Sequence, residues 1–111
     1  MSDLTNRHCV PCRGDVPPIT EIEIQKYLKE VGGTWEHIPG LVSKIRNDYQ
    51  FTDFQEAMVF VNKVADLAEA EGHHPDIYVS WNKVRLELFT HAIHGLSEND
   101  FILAAKIERL S

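Results

Sequence analysis

The chain has 111 residues, enough for one domain whose core needs no metal or disulfide staple. Its 43% hydrophobic and 25% charged residues are an ordinary globular mix, and a formal net charge of −6 argues against a nucleic-acid-binding surface, which needs clustered Lys and Arg. No apolar run nears the roughly 20 residues of a membrane span, and the first residues lack the basic-then-apolar layout of a secretory signal, so a cytoplasmic location is expected.

Residues 1–19 hold Pro11, Pro17 and Pro18 but little apolar periodicity, and are expected to form an irregular arm ahead of a folded domain over 20–111. The arm carries the only cysteines, in His8-Cys9-Val10-Pro11-Cys12. A CxxC can be half a zinc site or a redox pair. Here no second knuckle supplies the remaining ligands, and no strand-to-helix turn frames a redox motif. A plain N-terminal segment is the first reading, with a metal or oligomer clip and redox chemistry as alternatives.

Three helices are predicted by one device, a hydroxyl cap with a side chain three residues on that can reach back to it. Thr20 with Glu23 opens the first, where Ile24, Tyr27, Leu28 and Val31 keep helical spacing and Gly32-Gly33 ends the run. Thr52 with Gln55 is expected to open the second. Its stripe runs Phe54, Ala57, Met58, Val61, Val64, Ala65 and Ala68, and Gly72 stops it. Ser97 with Asp100 opens a third, mostly buried helix through Phe101–Ala105. Between helices the period drops to two. Trp35–Ile38 and Lys44–Phe51 read as one hairpin across Pro39-Gly40; Ile77–Trp81 and Val84–Leu88 read as a second, turning at Asn82-Lys83. The order α-β-β-α-β-β-α predicts a two-layer α+β sandwich, with a four-stranded antiparallel sheet and three helices on one face.

The histidines gather in Glu69-Ala-Glu-Gly-His73-His74-Pro75-Asp76 and in Thr90-His91. Gly72 would set His73 just past the helix end, where the helix dipole favours a cation, with Glu69 one turn earlier as its hydrogen-bond partner. Pro75 forces His74 to be extended, so neighbouring rings point to opposite sides. His91 is expected to end the fourth strand, which the hairpin returns to the start of the third. Three imidazoles would then converge at one end of the sheet. Solvated surface histidines, acid–base catalysts and metal ligands all fit that much. The metal reading draws on His91 and His94, three apart, completed by His73 or His74, but no acidic ligand beyond Glu69 or Asp76 is near in sequence.

These segments, with Trp81-Asn-Lys-Val84, Gly95-Leu-Ser-Glu-Asn-Asp100, Val31-Gly-Gly-Thr-Trp35 and Phe51-Thr-Asp-Phe54, resemble pterin-4a-carbinolamine dehydratases over roughly residues 20–110. The resemblance implies dehydration of 4a-hydroxytetrahydropterins, the products of aromatic amino acid hydroxylases, to quinonoid dihydropterins, with no metal and no organic cofactor. It implies His73, His74 and His91 as the catalytic residues, with Glu69 and Asp100 supporting. Gly72, His73, His74, Pro75, Phe89, Thr90, His91 and Ala92 would line the pterin pocket. It further implies a homodimer or homotetramer. One departure is local: Ala92-Ile93-His94 replaces the family's acidic and small residues after Thr-His, placing an extra imidazole at the pocket rim. Two other readings remain open: a non-catalytic partner or assembly protein of the same fold, and a histidine-cluster metal protein.

Overall fold

A computed structural model describes residues 4–9 and 17–110; Cys12, and with it the question of a Cys9–Cys12 pairing, lies outside them. The first helix, α1, spans Glu21–Val31. Thr20 and Glu23 cap it reciprocally: Glu23 N donates to Thr20 Oγ1 at 3.3 Å and Thr20 N to Glu23 Oε1 at 3.1 Å. The second, α2, spans Phe54–Glu71, and its cap is Asp53, not Thr52. Asp53 Oδ1 accepts from Glu56 N at 2.8 Å while Glu56 Oε1 accepts from Thr52 N at 3.1 Å. In a Thr-Asp pair the carboxylate wins, because its charge also complements the positive end of the helix. The one-residue shift leaves Phe54 half exposed and buries Ala57, Phe60, Val64 and Ala68 as the core stripe. The third helix, α3, spans Glu98–Glu108 and buries residues on nearly every side. It needs no polar face of ordinary width because α1, α2 and a short 3₁₀ turn at Leu4–Asn6 all pack against it.

The strands β1 (Glu36–Ile38), β2 (Lys44–Gln50), β3 (Asp76–Ser80) and β4 (Lys83–Leu88) form one antiparallel sheet in the order β1-β2-β4-β3. Ile45 on β2 and Val84, Leu86 and Leu88 on β4 face the helices and enter one core with Phe60, Val64, Phe101 and Leu103. The architecture is the predicted α+β sandwich. The β3–β4 turn, however, is Trp81-Asn82, one residue earlier than expected, with Trp81 at φ 52°. A left-handed tryptophan is unfavourable by itself. Asn82 anchors the turn: its Nδ2 donates to Phe51 O at 2.9 Å, and Phe51 N donates to Asn82 O at 2.8 Å.

Two features of the topology place the histidine segments. The register Asp76↔Glu87 sets the start of β3, and the histidine pair before it, beside the end of β4. β4 itself stops at Leu88, short of the expected His91, because Thr90 leaves the ladder and pairs with Gly95 across a loop.

Candidate active site

At the end of α2, Gly72 adopts the left-handed conformation (φ 67°, ψ 27°), and both Gly72 N and His73 N donate to Ala68 O. That reversal swings the chain off the helix and into β3 within a few residues. His73 is thereby turned inward. Its Nε2 lies 2.6 Å from Asp100 Oδ1; the histidine side chain is 11% exposed and the aspartate 0%. A carboxylate can only accept, so His73 carries its proton on Nε2 in this pair.

Asp100 is the hub. Its Oδ2 accepts from Thr90 Oγ1 at 2.9 Å and from Ser97 N at 2.9 Å. Thr90 and Ser97 hydroxyls are 2.7 Å apart, and with Thr90 donating to the carboxylate, Ser97 donates to Thr90. A carboxylate fully removed from water is costly unless both of its oxygens are hydrogen-bonded. Here the α3 cap, the β4 exit and the α2 exit each supply one such bond. The helix cap read from Ser97 and Asp100 is thus also the mounting of His73. The Ser97-x-x-Asp100 spacing was the sequence signal for Asp100; nothing in the sequence linked Thr90 to it.

His74 points the other way, to solvent, where its Nε2 pairs with Glu69 Oε2; the two side chains are 60% and 76% exposed. Glu69 therefore serves His74, not His73 as expected. Helical i, i+4 reasoning fails across Gly72, whose positive φ rotates His73 away from the helix face that bears Glu69. His91 opens a 3₁₀ turn, His91–Ile93, directly after Thr90. Its ring is exposed and lies against Phe89, with centroids 4.2 Å apart. His94 closes the turn at φ 51°. Gly95 follows, and a Cβ there would come within 3.1 Å of the Pro18 ring, which would have to shift by a few tenths of an ångström to admit it.

Among the described residues, no three His, Cys, Asp or Glu side chains are grouped to hold a metal ion, so His91 and His94 do not form a ligand set with His73 or His74. A hollow of about 610 Å³ lies on the open face of the sheet, lined in part by Asp48, Tyr78, Lys83, Arg85 and Glu87. It contains no histidine. Three of its charges are engaged in ion pairs, Arg85 with Asp48 at 2.7 Å and Glu87 with Lys44 at 2.8 Å.

The Pterin 4 alpha carbinolamine dehydratase family model matches residues 17–110. A relative from Rubrobacter xylanophilus that carries the pterin-4-alpha-carbinolamine dehydratase name is 43% identical over 110 residues, covering 99% of this chain and 100% of its own. The chain belongs to the pterin-4α-carbinolamine dehydratase family. By family it is a lyase of the dehydratase type. A solved structure described as a transcriptional coactivator/pterin dehydratase from Brucella melitensis superposes with a TM-score of 0.77 at 31% identity, over 84% of this dehydratase-family chain and 97% of the other. A pterin dehydratase-like RuBisCO assembly factor of the alpha-carboxysome shares the fold, with a TM-score of 0.61 at 22% identity over 72% of this chain and 92% of its own.

Proposed function

We propose that this protein dehydrates a 4a-hydroxytetrahydropterin to a quinonoid dihydropterin by histidine acid–base catalysis. The reaction breaks the C4a–O bond and forms a C=N bond to an adjacent ring nitrogen. Hydroxide is a poor leaving group, so the oxygen must gain a proton and depart as water, while the ring nitrogen loses one. The net change is one water. Two proton-exchanging groups near neutrality suffice, and histidine is the side chain suited to that pH.

One observation carries the reading: a buried carboxylate, Asp100, binds His73 with one oxygen and Thr90, the neighbour of His91, with the other. Asp100 fixes the tautomer of His73 in the neutral ring and pairs with it as an imidazolium when the ring takes up a second proton. His73 and His91 then exchange protons with the leaving hydroxyl and the ring nitrogen. His74, oriented by Glu69, chiefly positions the substrate. Gly72, Pro75, Phe89, Thr90 and Ala92 line the pterin, and Phe89, its ring tilted 45° against that of His91, offers an apolar wall beside it. In this reading the enzyme acts as a homo-oligomer, serves the recycling of hydroxylase-derived carbinolamines, and needs neither metal nor organic cofactor. No helix among the described residues is long and apolar enough to cross a membrane.

The test is turnover. A carbinolamine generated in situ by an aromatic amino acid hydroxylase is mixed with the purified protein, and the quinonoid product is followed by absorbance. An enzyme-dependent rate above the spontaneous one is expected. A rate equal to the spontaneous one removes the proposal and favours a partner-protein role on the same fold.

A further inference from the structure

The segment Leu4–Cys9 precedes the stretch that the family model matches, yet it is fastened to the body of the protein at both elements that carry the His73–Asp100 pair. Leu4 is fully buried in the common core. From there the segment runs past the start of α3 to the end of α2. Arg7 Nη1 donates to Glu98 Oε1 at 2.8 Å, and the other oxygen of Glu98 accepts from Tyr27 of α1 at 3.2 Å. Cys9 Sγ lies 3.6 Å from Asn99 O. Cys9 N donates to Glu71 Oε1 at 2.8 Å, while Lys106 Nζ of α3 donates to Glu71 Oε2 at 2.7 Å and His8 Nδ1 lies 3.3 Å from the same oxygen.

The attachment points are not scattered. Glu71 is the last residue of α2, two before His73; Glu98 and Asn99 are two and one before Asp100. Glu71 itself is 7% exposed, with a cation and two segments of chain converging on it. Burial alone would raise its carboxyl, but the hydrogen bonds from Lys106, the Cys9 N–H and His8 outweigh burial and hold it at about 2. It is an anion at every working pH. Catalytic groups lose rate steeply when displaced by even about 1 Å, so the alignment of the α2 end with the α3 start matters to any chemistry at His73.

We propose that Leu4–Cys9 is a clasp that sets the His73–Asp100 geometry, with Glu71 as the positioning residue through which it acts. The functional meaning rests on the dehydratase reading; the geometric claim does not. Glu71 touches no substrate. It holds the α2 terminus at a fixed distance from α3, by way of Lys106 on one side and the Cys9 backbone on the other.

The test uses the full chain with Cys12→Ser, which leaves Cys9 as the only thiol. Burial, with Glu71 second, pushes the Cys9 thiol up to about 12, so it alkylates slowly while the clasp is closed. Glu71→Ala is expected to speed Cys9 alkylation, to move the His73 ring resonances in the ¹H–¹⁵N spectrum, and to lower kcat by about 10–10²-fold with KM little changed. Arg7→Ala, which removes a half-exposed contact, is expected to shift the same His73 resonances by less. It decides the matter should Glu71→Ala fail to fold. Fast alkylation with unmoved His73 resonances and wild-type kcat would overturn the clasp. The His73 resonances are read without turnover, so absence of dehydratase activity sinks the functional reading alone.

Discussion

Replacing His91 by alanine is expected to lower kcat for carbinolamine dehydration by about 10²–10⁴-fold, the usual worth of one positioned acid–base group. In barrier height that is roughly 3–5 kcal/mol. His91 is the cleaner of the two proton-exchanging histidines to remove, because its ring is exposed and lies outside the core. The variant should therefore unfold at the wild-type denaturant midpoint, and the whole loss should appear in turnover. His73→Ala is expected to lose a similar factor in kcat but also about 1–3 kcal/mol of stability, since it strips a buried carboxylate of one partner. His74→Ala, which removes a solvent-side positioning group, should instead raise KM with a smaller change in kcat. Steady-state kinetics on the three variants, with urea melts beside them, separates these patterns. Equal and full activity of the His73 and His91 variants would end the acid–base assignment.

The second large effect is expected at Asp100→Asn, a change of one atom in a side chain with no exposure. Asp100 receives hydrogen bonds on both oxygens, from Thr90 and the Ser97 N–H on one and from His73 on the other. An asparagine has one acceptor and one donor there. If its carbonyl oxygen keeps Thr90 and Ser97, its NH₂ faces His73 Nε2, which must then accept. The ring proton moves to Nδ1, and the anion that stabilised the imidazolium is gone. Turnover should fall by about 10²–10⁴-fold and stability by about 1–3 kcal/mol, with ¹⁵N shifts of the His73 ring reporting the tautomer change. A variant with wild-type turnover would show that Asp100 serves only as a helix cap.

Legibility in the sequence divides along physical lines. The hydrophobic periods were sufficient for the element order, because burial on one face leaves a period-two or helical trace whatever the partner is. The Thr20–Glu23 cap was legible since both halves are local. The Thr52/Asp53 choice was not: two good caps stood side by side, and only the charge of Asp53 against the helix dipole separates them. The turn at Trp81-Asn82 was displaced by one because Trp81 is a poor residue for positive φ, and what holds it there is an asparagine bonded to the residue just after β2, far away in sequence. Sequence spacing paired Glu69 with His73, whereas the left-handed Gly72 hands that role to His74. Burial of Leu4 in the core left no trace at all, since a single apolar residue in a proline-rich arm carries no period. The same holds for Glu71, a charged residue at a helix end whose partners come from 62 and 35 positions away.

Three imidazoles contacting one pterin is the claim on which the chemistry depends, and ring-selective NMR of the wild-type protein tests it most directly. Titration with a stable oxidised pterin should move the ring resonances of His73, His74 and His91 together, in step with one binding isotherm, and leave Tyr78 and Arg85 on the open sheet face unmoved. Pterin-dependent shifts at Tyr78 and Arg85 with the three histidines silent would contradict it.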